Sequence, residues 1–146
     1  MELITLGAPA LSAVVLGFIA HLIGDYLIQS DWMALEKTKR WWPAVVHAVT
    51  YGLPFLLLTH SVIALAVIVG SHAVIDHYRL ARHVVYVKNF IAPRSYWHPW
   101  DECSGTGYHQ DRPPWMTVWL MIIADNTIHV VINSAVLALA VTQGWI

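Results

Sequence analysis

Two long runs without charge limit what this chain can become. From Leu3 to Gly24 there is no Asp, Glu, Lys or Arg, and 22 residues exceed the roughly 20 that a helix needs to cross a bilayer. From Trp41 to Ile75 a further 35 residues carry no formal charge. A third run, Trp115 to about Ala140, carries only Asp125. Soluble domains are about one quarter charged; this chain of 146 residues is 12% charged and 58% hydrophobic. The expected fold class is therefore all-α: a polytopic membrane protein forming one integral membrane domain, 1–146. Its four transmembrane helices are expected over about 8–28, 43–58, 61–76 and 116–140. Thirty-five residues are tight for two crossings, so a re-entrant hairpin over 43–76 stays open as the alternative. The hairpin should turn near Thr59-His60-Ser61, with Pro54 kinking its first arm.

Between the runs, Asp31–Arg40 reads as a short polar loop flanked by Trp32, Trp41 and Trp42, aromatic residues suited to a water–lipid boundary. Residues 77–91 mix Arg79, Arg82, His83 and Lys88 with apolar side chains, as a helix lying along the membrane surface does. Residues 92–114, rich in Pro, Gly and Trp, read as an irregular loop. Met1–Thr5 has no basic segment, and no small-residue cleavage site follows, so the first run reads as a retained span, not a signal peptide.

All eight Lys and Arg fall at 37, 39, 40, 79, 82, 88, 94 and 112. The positive-inside rule then places both polar connections in the cytoplasm and both termini outside it, in a bacterial inner membrane. A net charge of −1 gives no reason to expect nucleic acid, and the single cysteine, Cys103, excludes an internal disulfide.

Three Asp lie inside the apolar runs, and each has a His four residues away: His21/Asp25, His72/Asp76 and Asp125/His129. Positions four apart share one face of a helix. An Asp at the centre of a span costs about 2.5–3.5 kcal/mol, so three cost about 8–10 kcal/mol if unmatched. Interhelical hydrogen bonds in membranes return only about 0.6 kcal/mol each. A cation shared by several carboxylates and imidazoles compensates better.

The expected metal ligands are His21, Asp25, His47, His72, Asp76, Asp125 and His129. His47 is the weakest of them, because it has no Asp partner. Seven ligands suit two divalent transition-metal ions sharing a carboxylate, and mixed N/O donors favour Zn, Mn or Fe over Mg or Ca. With the four-span topology these residues meet in the cytoplasmic half of the bundle, His129 lying deeper unless the last span begins near Met121. Gln29, Asn126 and Asn133 read as supporting hydrogen-bond donors. His77 reads equally as an acid/base group beside Asp76 or as an interfacial side chain.

No catalytic residue is assigned from the sequence. The chain has no Gly-x-Ser-x-Gly elbow, and Cys103 has no evident partner for nucleophilic chemistry. The spacing of His98, Cys103 and His109 matches no ordered zinc module, and Gly105 and Gly107 follow no strand, which argues against a phosphate loop. The 92–114 segment reads better as a lid anchored by Trp97, Trp100 and Trp115.

At His21-Leu-Ile-Gly-Asp25-Tyr-Leu-Ile-Gln29-Ser-Asp-Trp-Met, Lys39-Arg-Trp-Trp, His47, His72-Ala-Val-Ile-Asp76-His-Tyr-Arg-Leu-Ala-Arg and Ala124-Asp125-Asn-Thr-Ile-His129, the sequence resembles a family. It is one of small polytopic bacterial and phage membrane proteins of unknown function. That resemblance implies an integral membrane protein and brings no activity. More loosely, the His/Asp pairs are similar to those of bacterial membrane-bound metal-dependent hydrolases, an analogy that does not fix function.

The expectation is a metal-dependent hydrolase acting on a phosphoester or lipid-like substrate. Its partners would be the bilayer and an anionic lipid or small molecule drawn by Arg79, Arg82 and Lys88. A homodimer would thicken so thin a bundle. The alternatives are a proton or metal-ion carrier using the same residues, and a non-enzymatic membrane interaction protein.

Overall fold

The computed structural model describes residues 7–146, and every regular element among them is helical. The N-terminal stretch Met1–Thr5 on which the retained-span expectation rests lies outside these residues. Helix α1 (Ala8–Leu22) runs on as a π-helical turn, Ile23–Ile28. After it come α2 (Asp31–Glu36) and α3 (Trp41–Gly52), the latter closing in a 3-10 turn, Leu53–Leu57. Helices α4 (Val62–Tyr78), α5 (Ala81–Lys88), α6 (Trp100–Cys103) and α7 (Pro114–Thr142) complete the chain, with short 3-10 turns at Asn89–Ile91 and Arg94–Tyr96.

Among the described residues two helices are long and apolar enough to cross a membrane: Ala8–Ile28 and Pro114–Thr142. The pair Val62–Tyr78 and Ala81–Ile91 makes a third if it counts as one broken span. The break falls at Arg79, a non-glycine residue at φ 52°. Helix α3, with 12 residues, is about 18 Å long at 1.5 Å per residue, well short of a hydrocarbon core of about 30 Å. Pro54 explains where it stops. It has no N–H for the Thr50 carbonyl, which takes the Leu53 N–H instead as the chain tightens to 3-10. The 31–40 connection is also more ordered than a polar loop, because the Ser30 hydroxyl accepts from Met33 N–H and caps α2.

The chain divides into two compact units, one running to His77 and including His129–Ile146, the other Tyr78–Ile128. In the first unit, α1 turns Ala10, Ala13, Gly17 and Ala20 inward, while Leu11, Val15, Leu16, Phe18 and Ile19 stay exposed. Small residues inward and large apolar residues outward is the packing of a helix whose solvent is lipid. Tyr51, Phe55, Ile68 and Leu137 fill the core with Ala13 and Ala20. In the second unit, Val85 and Cys103 are buried, and Gly107 at φ 84° passes so close to the Arg82 carbonyl that no Cβ fits there.

Gly24 is the tightest approach near the polar cluster. A Cβ there would lie 2.5 Å from Tyr51 Cδ2 and 3.0 Å from the Tyr51 carbonyl oxygen. Gly24→Ala should therefore destabilise the fold by about 1–3 kcal/mol, the usual cost of overpacking. Gly70→Ala, whose Cβ meets nothing within 4 Å, should leave it unchanged or slightly more stable. Thermal melting of the two variants in one detergent compares them directly.

Candidate metal centre

The π-helical turn places the first carboxylate. A π turn holds one residue more than an α turn, so Asp25 is presented differently from a residue continuing α1, and Gln29 closes the turn by donating to the Asp25 carbonyl at 3.2 Å. Asp25 Oδ1 lies 3.2 Å from His47 Nε2 and 3.4 Å from His72 Nε2. Asp76, one helical turn after His72, brings Oδ2 to 3.2 Å from each of the same two nitrogens. The two Nε2 atoms are 2.9 Å apart. One donor atom from each of these four residues lies within 4.8 Å of the others.

These distances have the scale of a coordination shell. A tetrahedral ion with arms of about 2.0–2.1 Å has edges of about 3.3–3.4 Å, and the nitrogen–nitrogen and nitrogen–oxygen separations among the four donor atoms run from 2.9 to 3.4 Å. Asp25 Oδ1 is buried yet makes no hydrogen bond, despite two imidazole nitrogens at that range. The Nδ1 atoms of His47 and His72 have no hydrogen-bond partner, so both rings direct their polar contacts through Nε2.

Two further histidines of this unit, His21 and His129, lie beside the outer carboxylate oxygens. His21 Nδ1 lies 3.6 Å from Asp25 Oδ2, and His129 Nε2 lies 3.3 Å from Asp76 Oδ1. Of the seven expected ligands, four thus converge and two brace. The seventh, Asp125, belongs to the second unit, where it is half-buried one turn before His129 on α7. His47, the weakest candidate in the sequence, sits at the middle of the cluster and is fully buried.

Lys37 and Tyr51 are site residues that the sequence did not single out. Lys37 Nζ donates to Asp76 Oδ2 at 2.7 Å and lies 3.2 Å from His47 Nε2. Nothing in the spacing of the 31–40 segment separates it from Lys39 and Arg40. Tyr51 stacks on His72 with ring centroids 3.6 Å apart, and its hydroxyl accepts from Asn133 Nδ2 at 2.6 Å and lies 3.0 Å from His21 Nδ1. Its spacing does carry a signal, since Tyr51 follows His47 by four, as Asn133 follows His129. His77 has a defined task too. It donates from Nδ1 to the Lys37 carbonyl at 2.8 Å and stacks on Trp41. Asn126 donates within its own helix, to the Ile122 carbonyl. Outside the spans, burial and the neighbouring Glu102 and Asp101 carboxylates push the Cys103 thiol up.

The model of a family described as a protein of unknown function (DUF3307) matches residues 13–98, more than half of the chain. The chain belongs to this family. The DUF3307 region takes in all four converging residues, with Lys37 and Tyr51, and ends before His129. No curated protein matches the chain, and no solved structure does.

Tyr51→Phe removes the hydroxyl between Asn133 and His21 while keeping the ring on His72. It should cost about 1–3 kcal/mol, the penalty for taking a partner from buried polar groups, read as a lowered melting temperature with unchanged helical circular dichroism.

Proposed function

We propose that this DUF3307 chain is a membrane-embedded, metal-dependent hydrolase acting on a phosphoester at the cytoplasmic side of a bacterial inner membrane. The observation that carries the reading is the convergence of Asp25 Oδ1, His47 Nε2, His72 Nε2 and Asp76 Oδ2 at coordination distances, with Asp25 Oδ1 outside any hydrogen bond. Two imidazoles in the set favour zinc, manganese or iron over magnesium or calcium.

Lys37 turns a closed set into a usable one. While Asp76 Oδ2 is held by Lys37 Nζ, three donors remain, two His and one Asp, the composition of hydrolytic sites that keep a position for water. A metal bound there would supply Lewis acidity and a water of lowered pKa. Asp76 then stands ready to take that water's proton, and the Lys37 ammonium to pair with a phosphoryl oxygen.

The confinement of all Lys and Arg to the two polar connections supports cytoplasmic placement of both, with the termini outside. That topology needs an even number of crossings, which α1 and α7 supply when α3 and α4 re-enter as a hairpin or cross as a pair. Basic residues near the headgroups would draw an anionic lipid or a small soluble phosphoester. One observation favours a second reading, an ion or proton relay: polar side chains 2.6–3.6 Å from one to the next run from Lys37 through Asp76, His72, Asp25, His21 and Tyr51 to Asn133.

Elemental analysis of detergent-purified protein should find transition metal, with about one equivalent per chain lost in Asp25→Ala and in His72→Ala. Lys37→Met should keep that equivalent and lose about a hundredfold in phosphodiester hydrolysis, the scale of removing one transition-state contact. Folded wild-type protein lacking the Asp25-dependent equivalent rejects the hydrolase. Ion flux in liposomes without ester turnover moves the assignment to the relay.

A further inference from the structure

A second cluster of metal-ligating side chains lies in the 92–114 segment. His109 Nε2 lies 3.0 Å from Glu102 Oε2, and His98 Nδ1 lies 3.7 Å from the same oxygen. The two imidazole rings face each other with centroids 4.0 Å apart. One donor atom from each of the three residues lies within 4.8 Å of the others. From spacing alone His98, Cys103 and His109 match no ordered zinc module; the fold buries the Cys103 thiol and presents Glu102 to the two histidines instead.

The backbone around the cluster is fixed in several places. Tyr86 donates its hydroxyl to the His98 carbonyl at 3.1 Å, Gln110 N–H donates to the Glu102 carbonyl at 3.0 Å, and Gly107 N–H donates to the Cys103 carbonyl at 2.7 Å. The ring of His98 is therefore positioned, yet its Nε2 atom is buried and has no hydrogen-bond partner. Both histidines also line a cavity of about 400 Å³ that includes Trp97, Tyr108 and Arg112. Asp111 N–H donates to His109 Nδ1 at 3.2 Å, and a carboxylate oxygen of the same residue lies 3.6 Å from that nitrogen; zinc at Nε2 shifts the ring proton to Nδ1 and turns this contact over to the carboxylate.

We propose that His98, Glu102 and His109 form a zinc site in this segment, separate from the Asp25/Asp76 cluster and independent of the hydrolase reading. Two imidazoles and one carboxylate are a three-ligand set that leaves the fourth tetrahedral position to water. The bound ion replaces the His109–Glu102 hydrogen bond with three bonds and pins the segment between α5 and α7.

Zinc titration of the full chain in detergent, followed by calorimetry, tests this. His98→Asn and His109→Asn should each lose one equivalent that Asp25→Ala retains, and Glu102→Gln should weaken the same equivalent by about tenfold or more. Equal zinc stoichiometry and affinity in wild type and all three variants overturns the site. A measurement on wild type alone covers variants that fail to fold. Diethyl pyrocarbonate modification of His98 and His109, read by mass spectrometry, should fall at least severalfold when zinc is added, and equal modification with and without zinc overturns the proposal as well.

Discussion

A carboxylate in an apolar bundle must be matched by neighbours, and in this chain Asp76 gathers them from four places. It is 4% exposed and touches Lys37 before α3, His47 on α3, His72 on its own helix and His129 on α7. Taking one partner from a buried ion pair typically costs about 3–5 kcal/mol, so these contacts fix the mutual placement of the segments that supply them. The clamp on Lys37 is double. Asp76 takes its ammonium, and the next residue, His77, donates to its carbonyl. Two adjacent residues of α4 thus hold both ends of one lysine, and the 31–40 connection is fastened to α4 by its side chain and its backbone.

The apolar outer face of the first unit follows from the same demand. Near its imidazole and carboxylate, α1 turns small residues inward and its bulk outward. On α1 the inward positions are Ala or Gly until His21, and the large side chains face outward. On α4, Val62 and Ile63 are 79% and 63% exposed while His72 and Asp76 are buried. This reverses the pattern of a soluble domain, where a half-buried helix hides its large apolar residues. A reversed pattern is stable only where the surroundings are themselves apolar.

Much of this is readable from spacing alone. The apolar runs locate α1, α4 and α7 to within two residues at most ends, because a helix that meets lipid needs an unbroken stretch without charge. The His/Asp pairs announce the cluster, because four-residue spacing fixes a shared face before any fold is known. Tertiary geometry decides the rest. His47 has no local partner, and its importance arises only when α1 and α4 bring Asp25 and Asp76 to the same ring nitrogen. Lys37 reaches the centre because His77 anchors its backbone, a contact 40 residues apart in sequence. In the 92–114 segment the obvious ligand type, the cysteine, stands one residue past Glu102, and a chain trace gives no hint which of two neighbours turns toward the histidines.

The pairing rule in the sequence and the coordination geometry in the structure have one explanation. A carboxylate has two oxygens, and left to rotate it would offer either or both. Beside each cluster Asp, a histidine of the same or a neighbouring helix lies against the outer oxygen: His21 Nδ1 at 3.6 Å from Asp25 Oδ2, and His129 Nε2 at 3.3 Å from Asp76 Oδ1. The inner oxygens, Asp25 Oδ1 and Asp76 Oδ2, are then fixed toward His47 and His72. For His21 the brace acts along one helix, four residues before its Asp. His72 stands in the same relation to Asp76, yet it spends its Nε2 on the inner oxygen at 3.2 Å, and the outer one is left to His129 on α7. The same four-residue motif therefore yields a brace in one helix and a central donor in the other. What separates them is Tyr51, whose ring lies flat against His72 and whose hydroxyl sits beside His21 Nδ1. One tyrosine, placed by the close approach of Gly24, sets the facing of both rings.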